Sequence, residues 1–172
     1  SLPTVGGKNA SLGEMIKSGI RVPPGFAVTT DSYLSFITET GINDKIMSIL
    51  SKVRPDDVSC LDEASEEIQT IIEKTLMNDD VKAAIRQGYA ELCRKCRMDD
   101  VPVAVRSSAT AEDLPNASFA GQQDTYLWVV GEDHIIKSVR KCWASLYTAR
   151  AIDYRNKNDF PHEKVLISVE IG

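Results

Sequence analysis

Apolar positions along the chain change rhythm twice, and the expected elements follow that rhythm. From Asn9 to Ser18, Ala10, Leu12, Met15 and Ile16 recur at roughly helical spacing and Gly19 follows as a stop, which predicts a short first helix. Arg21-Val22-Pro23-Pro24-Gly25 cannot continue it, because proline lacks the amide donor that a helix interior needs. Phe26-Ala27-Val28-Thr29 then reads as a short β-prone run. Asp31 or Thr30 is placed to cap a second helix carrying Tyr33, Leu34 and Ile37, which Gly41 ends. The middle third is helical throughout. Leu61, Ala64, Ile68, Ile71, Ile72 and Leu76 share one face, and Val81, Ile85, Tyr89, Leu92, Cys93 and Cys96 share another after the break at Asn78-Asp79-Asp80.

Beyond Met98-Asp99-Asp100 the period shortens. Val101-Pro102-Val103-Ala104-Val105 predicts a strand that delivers Arg106-Ser107-Ser108-Ala109-Thr110 as a polar loop, and Asp124 to Val130 predicts another strand. Glu132 to about Tyr154 reads as the longest helix, with Ile135, Val139, Cys142, Trp143, Leu146 and Tyr147 on its apolar side and Lys137, Arg140 and Lys141 on the other. Lys164 to Ile171 is a β-branched run expected to add a strand, and an end in mid-strand is what a truncated chain would show. Helices first, then strands interleaved with one long helix, predict an α+β fold with a mixed sheet and flanking helices. The expected division is a mainly helical part, 1–98, and a strand-rich part, 99–172. A dinucleotide-binding βαβ unit is excluded, because Gly6-Gly7-Lys8 has too few glycines for that fingerprint.

Composition narrows the class. At 172 residues, 42% hydrophobic and 26% charged, the chain can bury roughly two thirds of its unfolded surface, so a core forms without disulfide or metal staples. No apolar run approaches the ~20 residues of a membrane span, and the expectation is a soluble, cytoplasmic domain. A net charge of −5 leaves a nucleic-acid role to a local patch at most. Of the four cysteines, Cys93 and Cys96 alone are close, and neither a second pair nor His134 and His162 completes a zinc site. Cysteine on the apolar face of a helix behaves as a small hydrophobe, so this pair is expected to be structural.

Three segments carry candidate chemistry. Val5-Gly6-Gly7-Lys8-Asn9 sets an ammonium and two glycines at a helix start, where free amides suit a phosphate; a solvated lysine is the plainer alternative. Arg106 is expected at the end of a strand, its planar fork matched either to phosphate oxygens or to Glu112 and Asp113 nearby. Ser118-Phe119-Ala120-Gly121-Gln122-Gln123-Asp124-Thr125 offers a glycine that admits close backbone approach and a threonine hydroxyl, although a hairpin turn would use the same glycine. Glu112 and Asp113 read as surface carboxylates, and Arg140, Lys141, Arg150, Arg155 and Lys157 as a solvated helix face.

Taken together, four stretches resemble the N-terminal ATP-binding domain shared by phosphoenolpyruvate synthase (pyruvate, water dikinase), pyruvate, phosphate dikinase and rifamycin phosphotransferase. They are Val5 to Met15, Val22 to Thr30, Val105 to Pro115 and Ala117 to Thr125, and the likeness continues through Ser145 to Ala151. The resemblance implies an ATP-grasp fold of which this is the N-terminal portion, with ATP contacts on Lys8, Arg106, Gly121 and Thr125. Lys8 and Arg106 would hold the phosphates and act in catalysis, and the glycine loop would close over them. It further implies Mg2+ with ligands mostly outside this chain, and as partners a second ATP-grasp lobe, a phosphohistidine domain and a pyruvate-binding domain. The Asn9-Ala10-Ser11 and Pro-Pro-Gly segments lean toward the pyruvate, water dikinase branch. A rifamycin phosphotransferase, or a nucleotide-binding module without catalysis, is the alternative.

Overall fold

The computed structural model describes residues 24–110 and 124–172. The expected first helix over Asn9 to Ser18, Lys8, and the segment holding Glu112, Asp113 and Gly121 lie outside the described residues. Six helices and four strands are described: β1 (Phe26–Val28), α1 (Thr30–Glu39), α2 (Ile42–Ser51), α3 (Val58–Lys74), α4 (Asp79–Cys96), β2 (Val103–Thr110), β3 (Thr125–Val129), α5 (Glu132–Ala144), α6 (Ala149–Lys157) and β4 (Leu166–Ile171). The described strands form one antiparallel sheet in the order β1-β4-β2-β3, so the mixed α and β content holds while the sheet has no parallel pair among the described residues. Among the described residues no helix is long and apolar enough to cross a membrane.

β4 is the strand around which the rest is arranged. It pairs with β1 through Phe26 and Ile171 to Val28 and Val169, and with β2 from Val105 and Ile171 to Thr110 and Leu166. Its alternation is strict: Ile167, Val169 and Ile171 are buried while Leu166, Ser168 and Glu170 are half-buried, as a strand covered on one face requires. The covered face lies against α1, α4 and α5, and α3 packs on α5 from the far side. Trp143 of α5 is completely buried, 4.7 Å from the ring of Phe36 and 5.9 Å edge-on from Tyr33, both on α1. Burying rings of this size in offset and edge-on contact ties α1 to α5.

Several boundaries differ from expectation for local reasons. The cap position of α1 is Thr29, whose carbonyl receives the amides of Ser32 and Tyr33, and Thr30 and Asp31 lie inside the first turn instead. Gly41 does end α1, at φ 77, a conformation glycine adopts without strain. α3 stops at Lys74, so Leu76 falls off the apolar face to 77% exposure and Met77 takes the buried place. Cys93 is half-buried and Cys96 is exposed, which removes Cys96 from the packed face expected for it. The run from Val103 does not yield to a loop at Arg106; it continues as a strand to Thr110, because each residue as far as Thr110 finds a partner on β4.

The expected single helix from Glu132 to Tyr154 is broken. A short 3-10 turn, Ser145–Tyr147, and an extended Thr148 separate α5 from α6, and α4, not this segment, is the longest described helix. The carbonyls released at the break have dedicated donors. Gln69 Nε2 reaches Ala144 O at 3.3 Å, Ser65 Oγ reaches Tyr147 O at 2.6 Å, and the Arg155 guanidinium donates to Leu146 O. Thr148 Oγ1 then accepts from Ala151 N at 3.1 Å and starts the next helix. Leu146 and Tyr147 stay buried through the break, which is why the apolar rhythm alone does not reveal it.

Arg140 and Arg155 depart from the expected solvated basic face: Arg140 is half-buried with Nη1 donating to Thr75 O at 3.0 Å, and Arg155 is buried, with its guanidinium 5.3 Å from the ring centre of Tyr147. Its Nε donates to His162 Nδ1 at 2.9 Å, which leaves the imidazole proton on Nε2, 2.7 Å from Asn156 Oδ1. Burial first, and the adjacent Arg155 charge second, hold the His162 imidazole down at about 4, with Glu163 opposing weakly. Arg155 and His162 thereby fasten the chain where it turns from α6 back toward β4.

Two outcomes follow. A Cβ on Gly88 of α4 would sit 2.6 Å from the Phe26 ring, so Gly88→Val is expected to lower stability by about 1–3 kcal/mol, read as a fall in denaturant midpoint. Because the folded protein holds His162 neutral below its ordinary pKa of about 6.5, its contribution is complete above that pH and declines as pH falls toward about 4. Wild type is therefore expected to lose on the order of 1 kcal/mol more than His162→Gln over this interval in thermal melts, after discounting for solvent screening of the half-buried ring.

Candidate functional site

The same alternation that buries one face of the sheet leaves the other open among the described residues. On β2, Val103, Val105, Ser107 and Ala109 are buried, whereas Arg106 is exposed and Ala104 and Ser108 are half-buried. Arg106 lies in the interior of β2, paired on both sides, rather than at a strand end: Thr125 of β3 is its partner on one side and Glu170 of β4 on the other. Directly opposed antiparallel residues have Cβ atoms about 5 Å apart on a common face. Thr125, Arg106 and Glu170 therefore form one polar row across the open face, with Ser108 opposite Ser168 in the next row.

Ser107 sets this row from behind. Its side chain is fully buried, its hydroxyl accepts from Asp124 N at 3.0 Å, and its own amide donates to Asp124 O at 2.9 Å. This two-way clamp fixes the residue before Thr125 and hence the place of the threonine beside the arginine. Behind Ser107, burial pushes the Cys142 thiol up to about 12; the charge of Asp124 adds to the rise and a hydrogen bond with Ser107 opposes it. Cys142 stays protonated and inert as a nucleophile at neutral pH.

Of the four residues singled out for phosphate contact, the described part contains Arg106 and Thr125, and its strand register makes them neighbours. Lys8 and Gly121 lie outside it. Glu170, Ser108 and Ser168 were not singled out from the sequence, although the period-2 alternation of Ile167-Ser168-Val169-Glu170-Ile171 carries the signal that they share the open face. An arginine fork beside a carboxylate and three hydroxyls on one face of the sheet presents several donors to an oxyanion. Among the described residues no group of three or more His, Cys, Asp or Glu side chains is placed to hold a metal ion. His134 lies apart from the row, its Nδ1 2.8 Å from Val130 O.

Residues 2–172 match the family model of the pyruvate phosphate dikinase AMP/ATP-binding domain. The chain is 54% identical over 169 residues to a probable phosphoenolpyruvate synthase of Staphylothermus marinus, covering 97% of this chain and 20% of that protein. It is 52% identical over 166 residues to a probable phosphoenolpyruvate synthase of Methanocaldococcus jannaschii, covering 96% and 14%. With the phosphoenolpyruvate synthase of Pyrococcus furiosus the identity is 43% over 202 residues, covering 99% and 25%. The chain thus spans between 14% and 25% of the length of these relatives.

Proposed function

The chain belongs to the pyruvate phosphate dikinase AMP/ATP-binding domain family, and from that premise we propose that it is the ATP-binding portion of a phosphoenolpyruvate synthase. The observation that carries this reading is the family match over residues 2–172, and the names of the relatives favour this branch over an antibiotic phosphotransferase. The whole enzyme would convert ATP, pyruvate and water to AMP, phosphoenolpyruvate and phosphate, passing a phosphoryl group through a histidine on another domain of a cytoplasmic protein. The fold, on this reading, is the first portion of an ATP-grasp domain, and its nucleotide lies over the open face of the sheet.

Arg106 and Lys8 supply cationic donors to the phosphate oxygens. Their value is in charge placed in advance where the transferring group becomes more negative. Thr125 offers its hydroxyl to the same group, and Gly121 lets the loop backbone come close. Glu170, the register partner of Arg106 on the adjacent strand, adds a carboxylate to the same row. Mg2+, when bound with the nucleotide, would supply positive charge to the phosphates; the described residues offer no ligand set for it, and its ligands are assigned to other parts of the enzyme.

Because Arg106 is exposed on the sheet, Arg106→Ala in the full-length enzyme is expected to leave Tm unchanged. It should lower kcat/KM for ATP by an amount equivalent to about 1.5–3 kcal/mol, with Arg106→Lys recovering part of the loss. Steady-state kinetics with ATP varied check this, and unchanged ATP kinetics in Arg106→Ala would remove Arg106 from the site.

A further inference from the structure

The outer edge of the sheet carries a second surface that the nucleotide reading does not use. Leu127 is 71% exposed, Trp128 79% and Val130 36%, three large apolar side chains within four residues. Trp128 is also held at φ 57, in the left-handed region that a bulky side chain occupies only under strain. The register shift between Val103 and Val105 places it in a bulge, so the indole is turned out at the expense of the local backbone. Beside it, His134, Lys137 and Lys141 of α5 line a shallow depression of about 440 Å³ with no carboxylate among its lining residues. A large exposed aromatic next to a basic rim is the make-up of an interface core and its border. The depression is shallow and open to solvent, which suits a peptide segment better than an enclosed small molecule.

We propose that this edge is a docking surface for an acidic segment bearing an apolar side chain, contributed by another part of the same longer polypeptide. The apolar side chain covers Trp128 and Val130, and its carboxylates meet Lys137 and Lys141. Charge complementarity selects an acidic occupant, and it disfavours a second copy of the same surface, which would bring two sets of lysines together. The great length of the relatives beyond the matched region supplies the remainder of the polypeptide from which the segment comes, so the proposal rests on the reading of this chain as one part of such an enzyme.

The experiment is photo-crosslinking of the full-length enzyme with benzoylphenylalanine placed at Leu127, mapped by mass spectrometry. The expected product has the mass of one polypeptide and joins residue 127 to an acidic segment outside residues 1–172. Its yield should fall tenfold or more when Lys137→Glu and Lys141→Glu are combined, or with Trp128→Gly. Trp128→Gly relieves the left-handed strain and should keep or raise Tm while leaving ATP binding unchanged. No crosslink, a product of doubled mass, a crosslink to a non-acidic segment, or a yield indifferent to the lysine charges would overturn the proposal. So would a lowered Tm in Trp128→Gly with the crosslink intact. Because ATP binding is measured in the same variants, failure of the docking surface is separable from failure of the nucleotide site at Arg106.

Discussion

The pairing of β4 on both of its edges is the constraint on which the remaining structure depends. Through it Phe26 comes to lie beside Ile171, and Ala104 exchanges two backbone hydrogen bonds with Gly172, at 2.9 and 3.1 Å. The approach at that corner is so close that a Cβ on Gly25 would stand 2.6 Å from Ile171 O, which makes glycine a requirement there. Without β4, β1 would have no neighbour among the described strands and Arg106 would lose one of the two residues that flank it.

Stability and the proposed chemistry are divided between the two faces of the same strands. Ser107, Val169 and Ile171 point into the helical layer and hold the register, and Arg106, Ser168 and Glu170 point away and carry the polar row. A side chain on the buried face can therefore position the polar row, as Ser107 does by clamping Asp124. The period of two makes this arrangement intolerant of slippage: moving β2 by one residue would bury the arginine and expose the valines.

The helical content and most of the core were legible in the sequence, since Ile68, Ile85, Tyr89, Ile135, Val139 and Trp143 all lie on the faces their spacing predicts. What periodicity could not supply is anything decided by a partner far along the chain. The break after Ala144 depends on Ser65 and Gln69, some eighty residues away. The burial of Arg155 depends on a carbonyl, an imidazole and a ring arriving together, and a lone arginine on a helix gives no sign of them. Likewise the hydroxyl-rich stretch from Arg106 to Thr110 reads as a loop by composition, and becomes a strand because β4 offers it a complete ladder. Arg106 and Thr125 were recognisable as residues; their adjacency is a matter of register, which sequence spacing does not encode.

The late position of β4 in the chain has a consequence for synthesis. While a nascent chain is emerging from the ribosome, α3 and α4 can form from local contacts as soon as they leave the exit tunnel. β1 and the inner edge of β2 have to wait until Leu166–Ile171 has been translated. During that interval two strand edges with valine and phenylalanine side chains stand unpaired, and the chain is then most open to chaperone capture or to pairing with a neighbouring nascent chain. Arrival of a single six-residue strand covers both edges, joining β1 to the β2–β3 pair that can form before it.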